Sequence, residues 1–232
     1  MRYHSGMPLR IDVWSDLACP WCYIGKRRLE AALATAAPPG GVEVVWRSFE
    51  LDPAAPPVRT DGLTQAQRLA AKYRRTPAEA EAMIANVTRL AAAEGLTFRI
   101  DQQIAGNTFD AHRVLHLAAA HGRQDAVGER LFRAYFTEGR ALGDRATLVE
   151  LAADAGLPAA EVEAALAGDA HAADVRADER LARELGISGV PFFVLDGRVG
   201  VSGAQPAEVL ARAIAEVAPA AAAPACGPDG CA

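Results

Sequence analysis

From Leu9 to Trp14 apolar and polar residues alternate, which predicts a strand with one buried face. After Asp16 the pattern changes to helical spacing through Trp21, Ile24, Leu29, Ala32, Leu33 and Ala36, so the strand runs directly into a helix. Pro38-Pro39-Gly40-Gly41 breaks that helix, and Val42 to Trp46 reads as a second strand. Leu51 to Asp61, rich in Pro and Ala, reads as a linker. For about a hundred residues beyond it the signals are helical: Thr64 with Gln67 and Thr76-Pro77 with Glu79 form capping-box starts, while Gly95, Gly122, Gly139, Gly156 and Gly168 stand where helices stop. This predicts five or so helices between Gly62 and Ala167.

A further helix is expected from Asp169 to Leu185, followed by a strand from Val190 to Leu195. Asp196-Gly197 is a hairpin signal, Val199 to Val201 the returning strand, and Pro206 opens a last helix ending near Val217. Ala218 to Ala232 is an Ala/Pro/Gly stretch too poor in large apolar groups to fold alone, expected as a flexible tail. The order is β, α, β, a helical block, α, β, β, α. It matches an α/β thioredoxin-like fold with an inserted all-helical domain: residues 1–61 and 168–217 form the discontinuous thioredoxin-like part, 62–167 the insertion, and 218–232 the tail.

Composition narrows the function. The 232 residues, 51% hydrophobic, are ample for a core. Twenty-four basic against 29 acidic side chains give a net charge of -5, which offers no field to hold an anionic polymer, so no nucleic-acid partner is expected. No apolar run approaches the ~18 residues of a membrane span, and the first sixteen residues contain no signal-type apolar stretch. A cytoplasmic protein without a membrane partner is expected.

All four cysteines fall in two close pairs: Cys19 and Cys22 in Cys-Pro-Trp-Cys, Cys226 and Cys231 in Cys-Gly-Pro-Asp-Gly-Cys. The strand-to-helix junction places Cys19 at a helix N-terminus, where unpaired N–H groups and the helix dipole favour a thiolate and bring its pKa below the free value of ~8.5. Lys26 and Arg27 are expected to add a weaker effect. Cys22, one turn on and facing inward, is expected to hold its proton longer and to resolve the mixed disulfide that Cys19 forms. Pro20 and Trp21 shape the contact surface beside the exposed sulfur. Zinc-ribbon spacing would put a second pair within ~20 residues, whereas Cys226 follows Cys22 by 204 positions, so a four-cysteine zinc module is the less favoured alternative. Val190-Pro191, entering a strand just after Gly186 and Gly189, is expected as a cis bond exposing the Val190 backbone to a substrate beside Cys19. Cys226 and Cys231 lie close enough in sequence to form an auxiliary redox pair.

Five segments carry a family resemblance: Asp12-Val13-Trp14-Ser15-Asp16, Cys19-Pro20-Trp21-Cys22-Tyr23-Ile24-Gly25-Lys26, Trp46-Arg47-Ser48-Phe49-Glu50-Leu51, Asn107-Thr108-Phe109-Asp110-Ala111-His112-Arg113 and Gly189-Val190-Pro191-Phe192-Phe193. Together they resemble the FrnE branch of the DsbA-type thioredoxin-fold oxidoreductases over about residues 9 to 217. The resemblance implies a thioredoxin domain with an inserted helical domain, disulfide exchange on the first cysteine pair and a cis-proline beside it. Expected partners are disulfide-containing proteins or small thiols such as glutathione, with a thiol reductant or oxidant that the sequence leaves unidentified; no metal or organic cofactor is expected. Kappa-class glutathione transferases and 2-hydroxychromene-2-carboxylate isomerases share the superfamily and the 107–113 segment, which makes a glutathione-dependent isomerase or transferase the main alternative. Those relatives carry serine where this chain has Cys19.

Asn107 and His112 are candidate site-lining residues. His112 and His116 are four apart on one helical face, but Arg113 breaks the zinc-protease pattern; His112 is expected near the helical-domain interface and His116 as an ordinary surface or core histidine. Trp46, Phe49, Phe132, Tyr135 and Phe136 read as core, with at most a partial role in lining a peptide groove, and Arg27-Arg28 and Arg74-Arg75 as solvated helix faces.

Overall fold

The structure, a computed structural model, describes residues 8–218. Cys226 and Cys231 lie outside the described residues. The chain opens with β1 (Leu9–Ser15), α1 (Pro20–Ala36) and β2 (Val42–Ser48), the two strands parallel and in register from Leu9 opposite Val42 to Ser15 opposite Ser48. Six α-helices follow: α2 (Gln65–Tyr73), α3 (Pro77–Ala93), α4 (Phe109–Ala120), α5 (Gln124–Phe136), α6 (Arg145–Asp154) and α7 (Ala159–Ala167). Both expected capping boxes form, with the Gln67 N–H donating to Thr64 Oγ1 at 3.2 Å and the Glu79 N–H to Thr76 Oγ1 at 3.3 Å. The chain then returns through α8 (Ala172–Glu184), β3 (Phe192–Leu195), β4 (Val199–Ser202) and α9 (Ala207–Val217). β3 lies antiparallel to β1 and β4 antiparallel to β3, so the sheet order is β2-β1-β3-β4 and the fold is thioredoxin-like.

Two boundaries differ from the sequence expectation. α8 starts at Ala172 rather than Asp169, because His171 takes a left-handed φ of 61° and cannot continue a helix. β3 starts at Phe192 rather than Val190: Pro191 has no N–H for a ladder, and its carbonyl accepts from Gly203 N at 2.8 Å instead. The hairpin turn is as expected, with Asp196 and Gly197 both at positive φ.

α1 is shared between two cores. Its first turns contribute Cys22, Tyr23 and Ile24 to a large cluster with Val87, Val114, Leu131 and Phe132 of α3 to α5, where Tyr23 stacks on Phe132 with ring centroids 4.9 Å apart. Its later turns contribute Leu29 and Ala32 to a second cluster with Ile11, Val13 and Phe193 of the sheet and Leu210 and Ile214 of α9. A third, small cluster gathers Trp14, Ala182 and Ile187. The N-terminal end of α1 is thereby held from both sides.

The 51–61 stretch is irregular, as a linker should be, yet it is tied down. Asn107 N donates to Pro56 O at 2.9 Å and Arg59 N to Ala105 O at 2.8 Å. Gly143 packs so closely that a Cβ there would collide with the Pro57 carbonyl.

Candidate active site

Cys19 is the N-cap residue of α1 and Pro20 occupies the first helical position, where a missing N–H costs nothing. Cys19 N donates to Asp16 O at 3.0 Å and Cys22 N to Cys19 O at 3.0 Å, so the helix begins at the first cysteine and the second falls one turn later. Both are free thiols. Cys19 is 4% exposed and Cys22 fully buried, while Trp21 between them is 38% exposed. The Cys19 thiol points at Val190 O, Sγ to O 3.6 Å, and the Val190-Pro191 bond is cis. The structure thus brings Cys19, Cys22, Pro20, Trp21, Val190 and Pro191 into one neighbourhood.

Burial pushes the Cys22 thiol well up, and Cys19 beside it adds to the shift; the Ser15 hydroxyl and the Asp16 N–H act in the opposite direction. Asp16 is 1% exposed. Burial alone would raise its carboxyl, but His112 and the N–H groups of Leu51 and Ala18 outweigh that and hold it below the usual carboxylate range. Ala18 N donates to Oδ1 at 3.0 Å and Leu51 N to Oδ2 at 2.7 Å. His112 Nε2 stands 3.8 Å from Oδ1, an electrostatic distance rather than a hydrogen bond.

In front of Cys19 lies a cavity of about 700 Å³. Cys19, Pro20, Trp21 and Asp16 line one side; Leu69, Met83, Ile84 and Val87 of α2 and α3 supply apolar wall, with Tyr135 and Phe136 of α5. Its polar positions include Arg59, Asp61, Gln65, Arg68, Lys72 and Gln103. Arg59 pairs with Asp52 and Arg68 with Asp61, and Gln65 Nε2 donates to Gln103 Oε1 at 3.1 Å. Burial first, and then the Asp16 charge, push the Tyr135 phenol up to about 12.

Several expectations need correction. Lys26 and Arg27 do not serve Cys19: Lys26, 3% exposed, pairs with Glu30, with Asp125 at 3.1 Å and with Glu129 at 3.3 Å, while Arg27 pairs with Glu30 and Glu129. Arg28 is no solvated face either, since Nε binds Glu94 at 2.6 Å and Nη1 binds Ala204 O at 2.6 Å. Asn107 does not line the Cys19 cavity. It donates to Glu50 Oε1 at 2.9 Å, and its Oδ1 accepts from Phe109 N at 2.8 Å, beside a separate cleft of about 490 Å³. His112 lies behind Asp16 rather than in the cavity lining. Its neighbour His116, read as ordinary, is 3.1 Å from both Asp178 Oδ2 and Ser48 Oγ, in a network where Asp178 also accepts from Ser48 N at 3.0 Å and from Arg47 at 2.8 Å.

Sequence alone assigns Asp16 no role and Tyr135 at most a partial one in lining a peptide groove. Asp16 sits three residues before Cys19, the one local signal that could have singled it out; Tyr135 reads as core because its ring is core, and only its placement on α5 turns it toward the cavity.

A thioredoxin-like sheet with a Cys-x-x-Cys pair at the start of its first helix defines the class: a thiol-bearing thioredoxin-fold protein. The family model for the DSBA-like thioredoxin domain matches residues 10–215, and the chain belongs to that family. A probable DsbA oxidoreductase from Streptomyces coelicolor is 49% identical, with 97% of this chain and 98% of that one covered and a TM-score of 0.84. The cytosolic disulfide reductase DsbM from Pseudomonas aeruginosa is 24% identical over 90% of this chain and 98% of its own, TM-score 0.60. A 2-hydroxychromene-2-carboxylate isomerase is 15% identical over 89% of this chain and 95% of its own, TM-score 0.64. These last two likenesses are of fold alone. Among the described residues no helix is long and apolar enough to cross a membrane.

Proposed function

We infer that this DsbA-family protein is a thiol-disulfide oxidoreductase in which Cys19 attacks a substrate disulfide and Cys22 resolves the mixed disulfide. The observation that carries this reading is the asymmetry of the pair: Cys19 caps the helix at the edge of the cavity, and Cys22 is sealed beneath it. Thiol-disulfide exchange needs an accessible first sulfur and a second one in reach that does not compete for substrate.

The cavity favours small disulfides, or short extended segments of proteins, over a disulfide inside a folded partner. Its volume lies in the usual ligand-site range of about 300–1,000 Å³. Cys19, only 4% exposed, is also out of reach of a flat protein surface. A glutathione-sized disulfide offers carboxylates and amides to Arg59, Arg68, Lys72 and Gln103, and DsbM, which shares the fold, has been crystallised with glutathione. The glutathione-dependent isomerase reading is weaker, because electron transfer is the use of two adjacent thiols. We read the helices of 62–167 as an inserted cap supplying most of the cavity wall.

The test is a pair of variants assayed with oxidised glutathione. Cys19→Ser is expected to abolish disulfide reduction, while Cys22→Ser forms a stable mixed disulfide on Cys19 that mass spectrometry detects. If Cys22 is alkylated faster than Cys19 at pH 7, the roles are assigned the wrong way round.

A further inference from the structure

Gln65, Arg68, Leu69 and Lys72 follow one another on α2 at steps of three and four residues, so one face of that helix forms a wall of the Cys19 cavity. Gln103, which follows the short 3-10 turn Ile100–Gln102, and Tyr135 of α5 line the same cavity. Gln65 Nε2 joins these two, donating to Gln103 Oε1 at 3.1 Å and to Tyr135 Oη at 3.4 Å. Both Gln65 amide protons are thereby used, and each bond settles what its partner has left to offer. Gln103 turns its oxygen to Gln65 and keeps its Nε2 free: that atom is buried and has no hydrogen-bond partner among the described residues. Tyr135, 5% exposed, accepts from Gln65, and its own proton reaches no acceptor among the described residues. Two unused donors in a buried setting call for an acceptor, because leaving them unpaired is costly. The charges around them indicate which kind. Arg59 and Arg68 are each balanced by an aspartate, and both oxygens of Asp16 are taken by backbone N–H groups. Lys72 has no carboxylate partner among the described residues; its ammonium lies 5.9 Å from the Tyr73 ring.

We propose that Gln103 and Tyr135 form a carboxylate-binding subsite of the Cys19 cavity, which makes disulfides of carboxylate-bearing thiols the preferred substrates. The proposal rests on the oxidoreductase reading above and names the substrate class for it. Gln103 Nε2 and the Tyr135 hydroxyl donate to the carboxylate oxygens, Gln65 holds the two donors in place, and Lys72 supplies the countercharge. Burial, and then the Asp16 charge, keep the Tyr135 proton on its oxygen, so the phenol serves as a donor at neutral pH. The apolar wall of Leu69, Met83 and Ile84 receives the carbon chain between carboxylate and sulfur. Discrimination follows from the same unpaired donors: a substrate that brings no acceptor leaves them buried and unused, and binding loses what those bonds would contribute.

Two measurements on the full chain test this, with Gln103→Glu and Tyr135→Phe as variants. Gln103→Glu keeps the oxygen that Gln65 holds and exchanges the free amide donor for a second oxygen; Tyr135→Phe keeps the ring and removes only the hydroxyl. The first measurement compares kcat/KM for reduction of dithiodipropionate and of its diamide, two disulfides alike in shape. The wild-type protein is expected to prefer the diacid. The diacid-to-diamide ratio is expected to fall about 10- to 100-fold in Gln103→Glu and about 10-fold in Tyr135→Phe, the loss of a hydrogen bond to a charged group. The second measurement uses octanedioate, in which two methylenes replace the two sulfurs, to protect Cys19 from alkylation by iodoacetamide, read by peptide mass spectrometry. Gln103→Glu is expected to need about 10-fold more octanedioate for the same protection. Variants that slow both disulfides alike, leaving the ratio where it was, overturn the proposal. So does a wild-type preference for the diamide, which would mean that both glutamine amides are turned over and Gln103 presents its oxygen. If neither disulfide is reduced, the oxidoreductase reading falls and octanedioate still judges the subsite, since failure to protect wild-type Cys19, or equal protection in Gln103→Glu, overturns it.

Discussion

Asp16 shows how a charge survives inside this core. Each carboxylate oxygen has a backbone N–H to accept from, and His112 supplies a facing ring nitrogen. These groups bind the charged form, so the folded protein holds the Asp16 proton less tightly than the unfolded chain, where an aspartate titrates near about 3.9. Its contribution to stability is therefore fully present above about pH 4 and is lost as pH falls through the lower folded value. Asp12 and Asp178 are shifted the same way, against burial, by the partners that include Arg10 and Arg47 for the first and His116 and Arg47 for the second. Acid unfolding should begin below pH 4. Asp16→Asn removes one acceptor and places an amide donor against an N–H. It is expected to cost about 1–3 kcal/mol at pH 7 and to flatten the acid limb, both read from urea midpoints across pH.

At the scale of elements, the decisive piece is α1. Its seventeen residues touch the helical block with one end and the sheet with the other, and its N-terminus carries the chemistry. Gly25 lies where it passes under the Val190-Pro191 loop: a Cβ there would stand 3.0 Å from Pro191 Cγ and 3.3 Å from Phe193 Cζ. Helix propensity alone would make Gly25→Ala stabilising by about 1 kcal/mol. Overpacking against a rigid ring and a buried aromatic costs about 1–3 kcal/mol, and we expect it to win. Gly25→Ala should lower the urea midpoint and also slow turnover, because displacing Pro191 moves the Val190 carbonyl that faces Cys19. A more stable variant with full activity would show that the loop yields freely.

For the molecule as a whole, the helical block and the thioredoxin-like part share one continuous core around Cys22, Tyr23 and Ile24, and a band of ion pairs ties them at its edge. Lys26 is the buried centre of that band, facing Asp125 and Glu129 of α5. Burial works against its charge, but the carboxylates outweigh it, so Lys26 stays cationic. Lys26→Ala would leave Glu129, partly buried, with Arg27 as its remaining cationic partner. We expect a loss of about 2 kcal/mol, below the 3–5 typical of a fully buried pair because Glu30 and Asp125 are well exposed and solvent screens them. Lys26→Met combined with Glu129→Gln should recover most of it, measured by thermal unfolding.

What the sequence by itself determined follows from short-range physics. Alternation and helical spacing name the strands and helices, capping boxes mark the starts of α2 and α3, and a strand running into a helix at Cys19 puts that sulfur at a helix N-terminus. Tertiary structure decided the rest, because it concerns which distant charges meet. Lys26 and Arg27 looked available to Cys19 while two of their three carboxylate partners, Asp125 and Glu129, lay about a hundred residues away in sequence. His116 looked ordinary until α8 brought Asp178 to it, and Asn107 looked like part of the site until the fold gave it to Glu50. The cavity itself exists only once α2, α3 and α5 are set against the first turn of α1, since a concave surface is made by long-range packing and no local pattern encodes it.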